Sequence, residues 1–204
     1  MKESSFKIKA EGFVEIRDAD TRELLREVHN DIHLENFSEA IALSLGNYDR
    51  GVIEYMYFGS GGSTVDLTGS IDYNDTNVVG RDADIYGSPS GYKYGKVVND
   101  RSANFDSDPD RTNVKVRHIV GTTYSDVIVT CTLEYGEPEG QAVYDDADTS
   151  EGDFIFDEVG LKSYDAATGT KRLLTHVIFH PIQKSLNRAL EIVYTIRITM
   201  MADA

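Results

Sequence analysis

The run Leu190-Glu191-Ile192-Val193-Tyr194-Thr195-Ile196-Arg197-Ile198-Thr199-Met200 limits the possible folds of this chain more than any other stretch. Leu190, Ile192, Tyr194, Ile196, Ile198 and Met200 fall on one side of a period-2 ribbon, and Glu191, Thr195, Arg197 and Thr199 on the other. That is a strand with one face in a core and one in water. Two further runs precede it: Phe154 to Leu161, followed by a turn at Asp165 to Gly169, and Leu173 to His180, ended by Pro181. Both are rich in β-branched and aromatic residues and read as strands.

Earlier in the chain the same pattern recurs. Phe6, Ile8, Ala10, Val14 and Ile16 alternate through Arg17, with Gly12 placed where a bulge or bend is expected. Asp18 to Thr21 is a turn, and Glu23 to Val28 returns as the second arm of a hairpin. One helix follows. Asn36 and Glu39 have capping-box spacing, Leu34, Phe37, Ile41 and Leu45 trace one face, and Gly46 stands at the C-cap, so the helix lies on the sheet or plugs one end. Val52 to Phe58, Val65 to Tyr73, Val114 to Val120 and Tyr124 to Tyr135 complete about nine strands, the last two forming a hairpin through Gly121 to Thr123. Without βαβ alternation, the expected class is all-β: an antiparallel β-sandwich or jelly roll with one short helix. A single domain over 1–204 is expected, carrying an extended loop or arm at about 73–113.

That arm holds Tyr73, Tyr86, Tyr92 and Tyr94, together with Pro89 and Pro109. Tyrosine supplies contact area at low entropic cost, so these four are candidate partner-binding residues on a segment that docks on a neighbouring subunit. The alternative is a loop packed on its own domain.

Charge narrows the function. Against 20 basic residues stand 35 acidic ones, a net charge of −15. This opposes binding to nucleic acid or anionic membrane. No apolar run reaches membrane-spanning length, and no signal-peptide core follows Met1 to Ser5, so synthesis in a cytoplasm is expected. The single cysteine, Cys131, alternates with Val127, Val129 and Leu133 and reads as a buried core thiol.

Candidate chemistry is sparse. Gly59-Ser60-Gly61-Gly62-Ser63-Thr64 lacks the lysine and spacing of a P-loop and reads as a glycine-rich strand connection. His176 and His180 have helical zinc-ligand spacing but lie on a strand, where four residues span about 13 Å. His29 and His33 share the spacing but precede the helix. Asp106, Asp108 and Asp110 alternate like early calcium ligands, yet Arg111 and Arg117 occupy the turn-glycine and closing-glutamate positions. The acidic stretch 145–153 is the other place a cation could bind, with solvated turns as the simpler reading. No nucleophile and base pair up, so no catalytic residue, cofactor or metal ligand is expected.

Several phrases carry a resemblance. They are residues 30–40 (Asn30-Asp31-Ile32-His33-Leu34-Glu35-Asn36-Phe37-Ser38-Glu39-Ala40), Phe58 to Gly62, Val116 to His118, Thr130 to Pro138, Phe156 to Ser163 and Leu173 to Ser185. Together they resemble virion structural proteins of large tailed bacteriophages. The Asp157-Glu158-Val159-Gly160-Leu161 phrase, the Leu-Leu strand after it and the closing Tyr-Thr-Ile strand are also similar to β-rich tail and baseplate modules. The resemblance implies a non-enzymatic, homo-oligomeric building block that binds other virion proteins and is assembled in the bacterial cytoplasm. Capsid-surface decoration or a neck or collar position is preferred, with a tail or baseplate component or a host-carbohydrate-binding β-sandwich as the alternatives.

Overall fold

The computed structural model of the chain describes residues 6–88, 91–99, 112–138 and 153–202. Within them run β1 (Phe6–Asp18), β2 (Leu24–Ile32), α1 (Leu34–Leu45), β3 (Ile53–Gly59), β4 (Ser63–Val65), β5 (Ile71–Tyr73) and β6 (Tyr94–Val97). After these come β7 (Asn113–His118), β8 (Tyr124–Leu133), β9 (Asp153–Asp165), β10 (Thr170–Ser185) and β11 (Leu190–Ala202). Nine strands form one curled sheet in the order β6-β3-β9-β10-β2-β1-β11-β8-β7, and β4 and β5 form a separate hairpin. Every pairing is antiparallel. The all-β class with one short helix is therefore the observed one.

The curl is made by β2. Its residues 24–30 pair with β1, while Asp31 and Ile32 pair with His176 and Thr175 of β10. One strand thus joins a layer of β1, β11, β8 and β7 (layer A) to a layer of β10, β9, β3 and β6 (layer B). Layer A contributes Val14, Ile16, Val129, Cys131, Leu133, Ile192, Tyr194 and Ile196 to the core. Phe156 of layer B packs edge-on to Phe58 at 5.5 Å and to Phe179 at 5.7 Å between ring centroids. Edge-to-face pairs add about 0.5–1.5 kcal/mol to burial of the rings alone.

Several local expectations are corrected. The helix begins a turn earlier than the Asn36–Glu39 pattern places it, because the buried His33 is the N-cap and its Nδ1 accepts from the Asn36 N–H at 3.2 Å. Asn36 is then free for tertiary work, donating from Nδ2 to the Leu173 and Arg81 carbonyls, while Glu39 pairs with Arg81. Gly46 caps the C-terminus, but the left-handed residue is Asn47, at φ 58°. Gly12 causes no bulge; β1 runs straight through it, and a Cβ there would sit 1.5 Å from Asn30 Oδ1. The glycine makes room for a side chain of the adjacent strand.

Val65 to Tyr73 is a hairpin and not a single strand. Asp66 Oδ1 closes its turn by accepting from Thr68 and Ser70, with Gly69 at φ 84°. Pro181 does not end β10. It lies between Ile178, opposite Glu158, and Ile182, opposite Phe156, in a bulge where the missing N–H breaks no ladder bond. Of the expected 73–113 arm, residues 74–88 lie on the protein's own layer B, residues 94–97 are β6, and 100–111 fall outside the described residues. The possible cation ligands Asp106, Asp108, Asp110 and the 145–152 acids also fall outside them.

Candidate interaction surface

Two features stand out on the surface of the sandwich: a covered outer face of layer B and an uncovered end of layer A. The cover over layer B is held by Glu158. This residue follows Asp157 within the otherwise apolar run from Phe154 to Leu161 of β9, and both are buried. Glu158 Oε1 accepts from the N–H groups of Gly61 at 3.3 Å and Gly87 at 2.6 Å. Its Oε2 accepts from Tyr86 N–H at 2.9 Å and lies 2.9 Å from His176 Nε2. His176 Nδ1 accepts from the Asn77 N–H at 2.8 Å, so the proton resides on Nε2 and is donated to the carboxylate. Both side chains are fully buried. The pair fastens residues 77–87 to β9 and β10 and presents no face to a substrate.

Asp157 does the same for the glycine run. Its carboxylate accepts from Gly62 N–H at 2.8 Å and from the Ser63 hydroxyl at 2.5 Å, while burial pushes its pKa upward. The amides of the 59–64 connection therefore do hold anions, namely two carboxylates of the chain itself. A Cβ at Gly61 would fall 2.2 Å from the Gly87 carbonyl oxygen, so the two segments touch backbone to backbone. Asp84 adds an ionic tether: burial opposes its charge, but Lys162 and Lys93 hold its pKa below the usual carboxylate range. Consecutive acids interrupting the apolar alternation at 157–158 were the sequence signal for this anchor.

The four tyrosines singled out from sequence serve separate positions. Tyr73 reaches His180 Nδ1 at 3.0 Å, which places the exposed His180 away from the buried His176. Tyr86 donates to the Asp75 carbonyl, and its ring packs 5.8 Å from the His176 ring. Tyr94 sits in β6 beside Phe58, and Tyr92 is half-exposed at the end of the cover. A different aromatic group, missed from sequence, lies on the same outer face: Tyr55, Tyr57 and Tyr164 surround Lys162 and Lys171, with Lys171 Nζ 4.2 Å from the Tyr55 centroid. Among the described residues no three His, Cys, Asp or Glu side chains gather as metal ligands.

Layer A, by contrast, outruns layer B. Phe6, Ile8 and Ala10 share the core face of Val14 and Ile16, and they stand opposite Ala202, Met200 and Ile198. Phe6 is 62% exposed, Ile8 50% and Met200 43%, although all continue the core stripe. On β7, Val116 shares this face through its pairing with Val127 and is 73% exposed. Because β2 departs at Gly12, residues 6–11 of β1 have a strand partner on one side only among the described residues. Beside this open edge α1 leaves an apolar groove of about 260 Å³, lined by Ile8, Ala10, Ile32, Leu34, Phe37 and Ile41. The opposite side of α1 borders a polar cleft of about 270 Å³ in which Arg50, Arg81 and Asp165 meet, already paired with acids or with each other.

The outer face of the same end is basic for so acidic a chain. Lys7, Lys9, Arg197, Arg117 and Lys115 project there, around Glu11 and the buried Asp126. Arg197 donates to Asp126 at 2.8 and 3.0 Å and Arg117 at 2.7 Å, holding its pKa down at about 2.

Comparison with known proteins finds no matching family, no matching curated protein and no matching solved structure.

Proposed function

We propose that this chain is a non-enzymatic structural component of a tailed-phage virion, a capsid-surface decoration or neck/collar protein that binds neighbouring virion subunits. The observation that carries the reading is the end of layer A where core-face residues Phe6, Ile8, Val116 and Met200 are exposed, next to a strand edge that has no second strand partner among the described residues. Exposed apolar surface continuous with a core is costly in water and marks a place that another protein covers. An open edge beside it offers backbone hydrogen bonds to the same partner. The phrases that resemble phage virion proteins support the choice of partner. The buried Glu158–His176 pair supports a structural use of the chain's best-placed ionisable residues, since it is spent on fixing a surface segment.

The test is binding of the purified chain to purified phage capsids, neck complexes and tails, followed by cryo-EM of the particle that retains it. Density for this sandwich repeated over capsid faces, or confined to the portal vertex, is the expected result. Binding to none of the three overturns the proposal, and density only on the tail tip moves the protein to the baseplate.

A further inference from the structure

We infer that the cover over layer B is an acid-responsive strap: in mild acid His176 takes up a second proton and releases Asn77, and the strap slackens between Asn74 and Gly80 while its two ends stay fastened. The inference goes beyond the virion reading and holds or fails independently of it.

Two buried histidines grip this segment in the same way. His176 of β10 accepts from Asn77 N–H on Nδ1 at 2.8 Å and donates from Nε2 to Glu158 at 2.9 Å. His33, the N-cap of α1, accepts from Asn36 N–H on Nδ1 at 3.2 Å, so Nε2 carries the proton and donates to the Gly80 carbonyl at 2.9 Å. In both rings Nδ1 faces a main-chain N–H, a group that can only donate. A second proton on Nδ1 sets N–H against N–H, so the bond has no alternative form. His180 shows the contrast. Its Nδ1 lies 3.0 Å from the Tyr73 hydroxyl, which can donate to a neutral ring and accept from a charged one, so that contact survives proton uptake.

The charges around the two rings decide which of them changes. Against His176 stand Glu158 of β9, with the buried Asp157 before it, and Asp31 of β2, which lies opposite His176 in the sheet. The strap itself adds the Tyr86 ring, 5.8 Å away. A cation at His176 therefore meets a buried carboxylate already in contact. His33 instead stands at the N-terminus of α1, where the helix dipole opposes positive charge, and Arg81 of the strap pairs with Glu35 and Glu39 of the same helix. The proton goes to His176. The other holds on the strap keep their donors and acceptors. Asn74 stays on the Gly61 and Gly62 carbonyls, Gly80 on His33, Asp84 on Lys162 and Lys93, and the Tyr86 and Gly87 N–H groups on Glu158. Between Asn74 and Asn77, Thr76 bonds to Asp31 through an exposed contact.

Amide hydrogen exchange of the full chain, read by NMR at about pH 7.5 and about pH 5, tests this, because histidine changes charge within that interval. The acid end stays above the range in which Asp126 is lost to protonation. Protection of Asn77, taken against intrinsic exchange at each pH, is expected to fall about tenfold on acidification, the loss of one hydrogen bond, while Gly87, Val129 and Ile192 change by less than about twofold. Long-range nitrogen spectra should show His176 Nδ1 gaining a proton over the same interval with the Nε2 proton retained. His176→Gln keeps an acceptor and a donor but takes up no proton, and should hold Asn77 protection constant. His33→Asn keeps a helix cap and should leave the acid response of Asn77 intact. If His176→Gln does not fold, the wild-type ring spectrum and exchange decide alone. Equal protection of Asn77 at both pH values, or a His176 ring that gains no proton, overturns the inference. So does an acid loss that persists in His176→Gln, vanishes in His33→Asn, or is shared by Val129 and Ile192.

Discussion

Replacing Glu158 by glutamine isolates what its buried carboxylate does. Glutamine keeps the volume and shape, so the core packing of β9 is unchanged, but one oxygen becomes an N–H₂ donor. In either amide orientation two donors lose their acceptor: Tyr86 N–H and His176 Nε2–H in one, the N–H groups of Gly61 and Gly87 in the other. His176 cannot answer by moving its proton to Nδ1, because that nitrogen already accepts from Asn77 N–H. A buried donor left unpaired costs about 1–3 kcal/mol, so Glu158→Gln should destabilise the chain by about 2–6 kcal/mol. The loss should be concentrated where the bonds are. Amide hydrogen exchange at Tyr86 and Gly87 should accelerate well beyond that of Val129 or Ile192 in layer A, and urea denaturation should report the global decrease. His180→Gln, on the exposed side chain four residues from His176, serves as the control and should change stability by less than about 0.5 kcal/mol. A Glu158→Gln chain within 1 kcal/mol of wild type, or with Tyr86 and Gly87 still protected, would refute the idea that this carboxylate anchors the cover over layer B.

Three further outcomes follow from the same structure. Asp126, held by Arg197 and then Arg117, has its pKa lowered from 3.8 to about 2, so its contribution is complete above about pH 4 and disappears as pH falls towards 2. Both arginines reach solvent, which screens the interaction, and urea midpoints between pH 6 and pH 2.5 should fall less in Asp126→Asn than in wild type. Cys131 is fully buried and burial pushes its thiol up to about 12, so a thiol reagent at pH 8 should label it only after denaturation; prompt labelling of the native chain would contradict its placement in the core. Gly12→Ala forces the Asn30 side chain aside and should cost about 1–3 kcal/mol, most of it recovered in Gly12→Ala/Asn30→Ala as measured by a double-mutant cycle.

Local alternation was enough to find most strands and the side chains that face the core. Alternation in β11 places Leu190, Ile192, Tyr194 and Ile196 in the core, and the same local rule finds β1, β8 and the β9–β10 hairpin, because a strand's two faces are set every second residue whatever its neighbours are. Cys131 in the core and Gly46 at the helix end were legible for the same reason: each depends on residues within a turn or a strand pair. The helix start was not, because His33 caps it with a ring nitrogen while Asn36, the better cap by type, is claimed by the Leu173 and Arg81 carbonyls. Nor was the anchor, since Glu158 and His176 become neighbours only when β9 and β10 pair, and the residues they hold come from a connection with no periodicity of its own. The tertiary structure alone decided where the sandwich stops. Phe6, Ile8 and Met200 continue the same apolar stripe that Val14 and Ile196 begin, and nothing in the alternation marks the point at which layer B ceases to cover it. That point is fixed by the departure of β2 from β1 at Gly12. A pattern of period 2 specifies which way a side chain faces, but only the packing of distant strands specifies whether another layer is there to meet it.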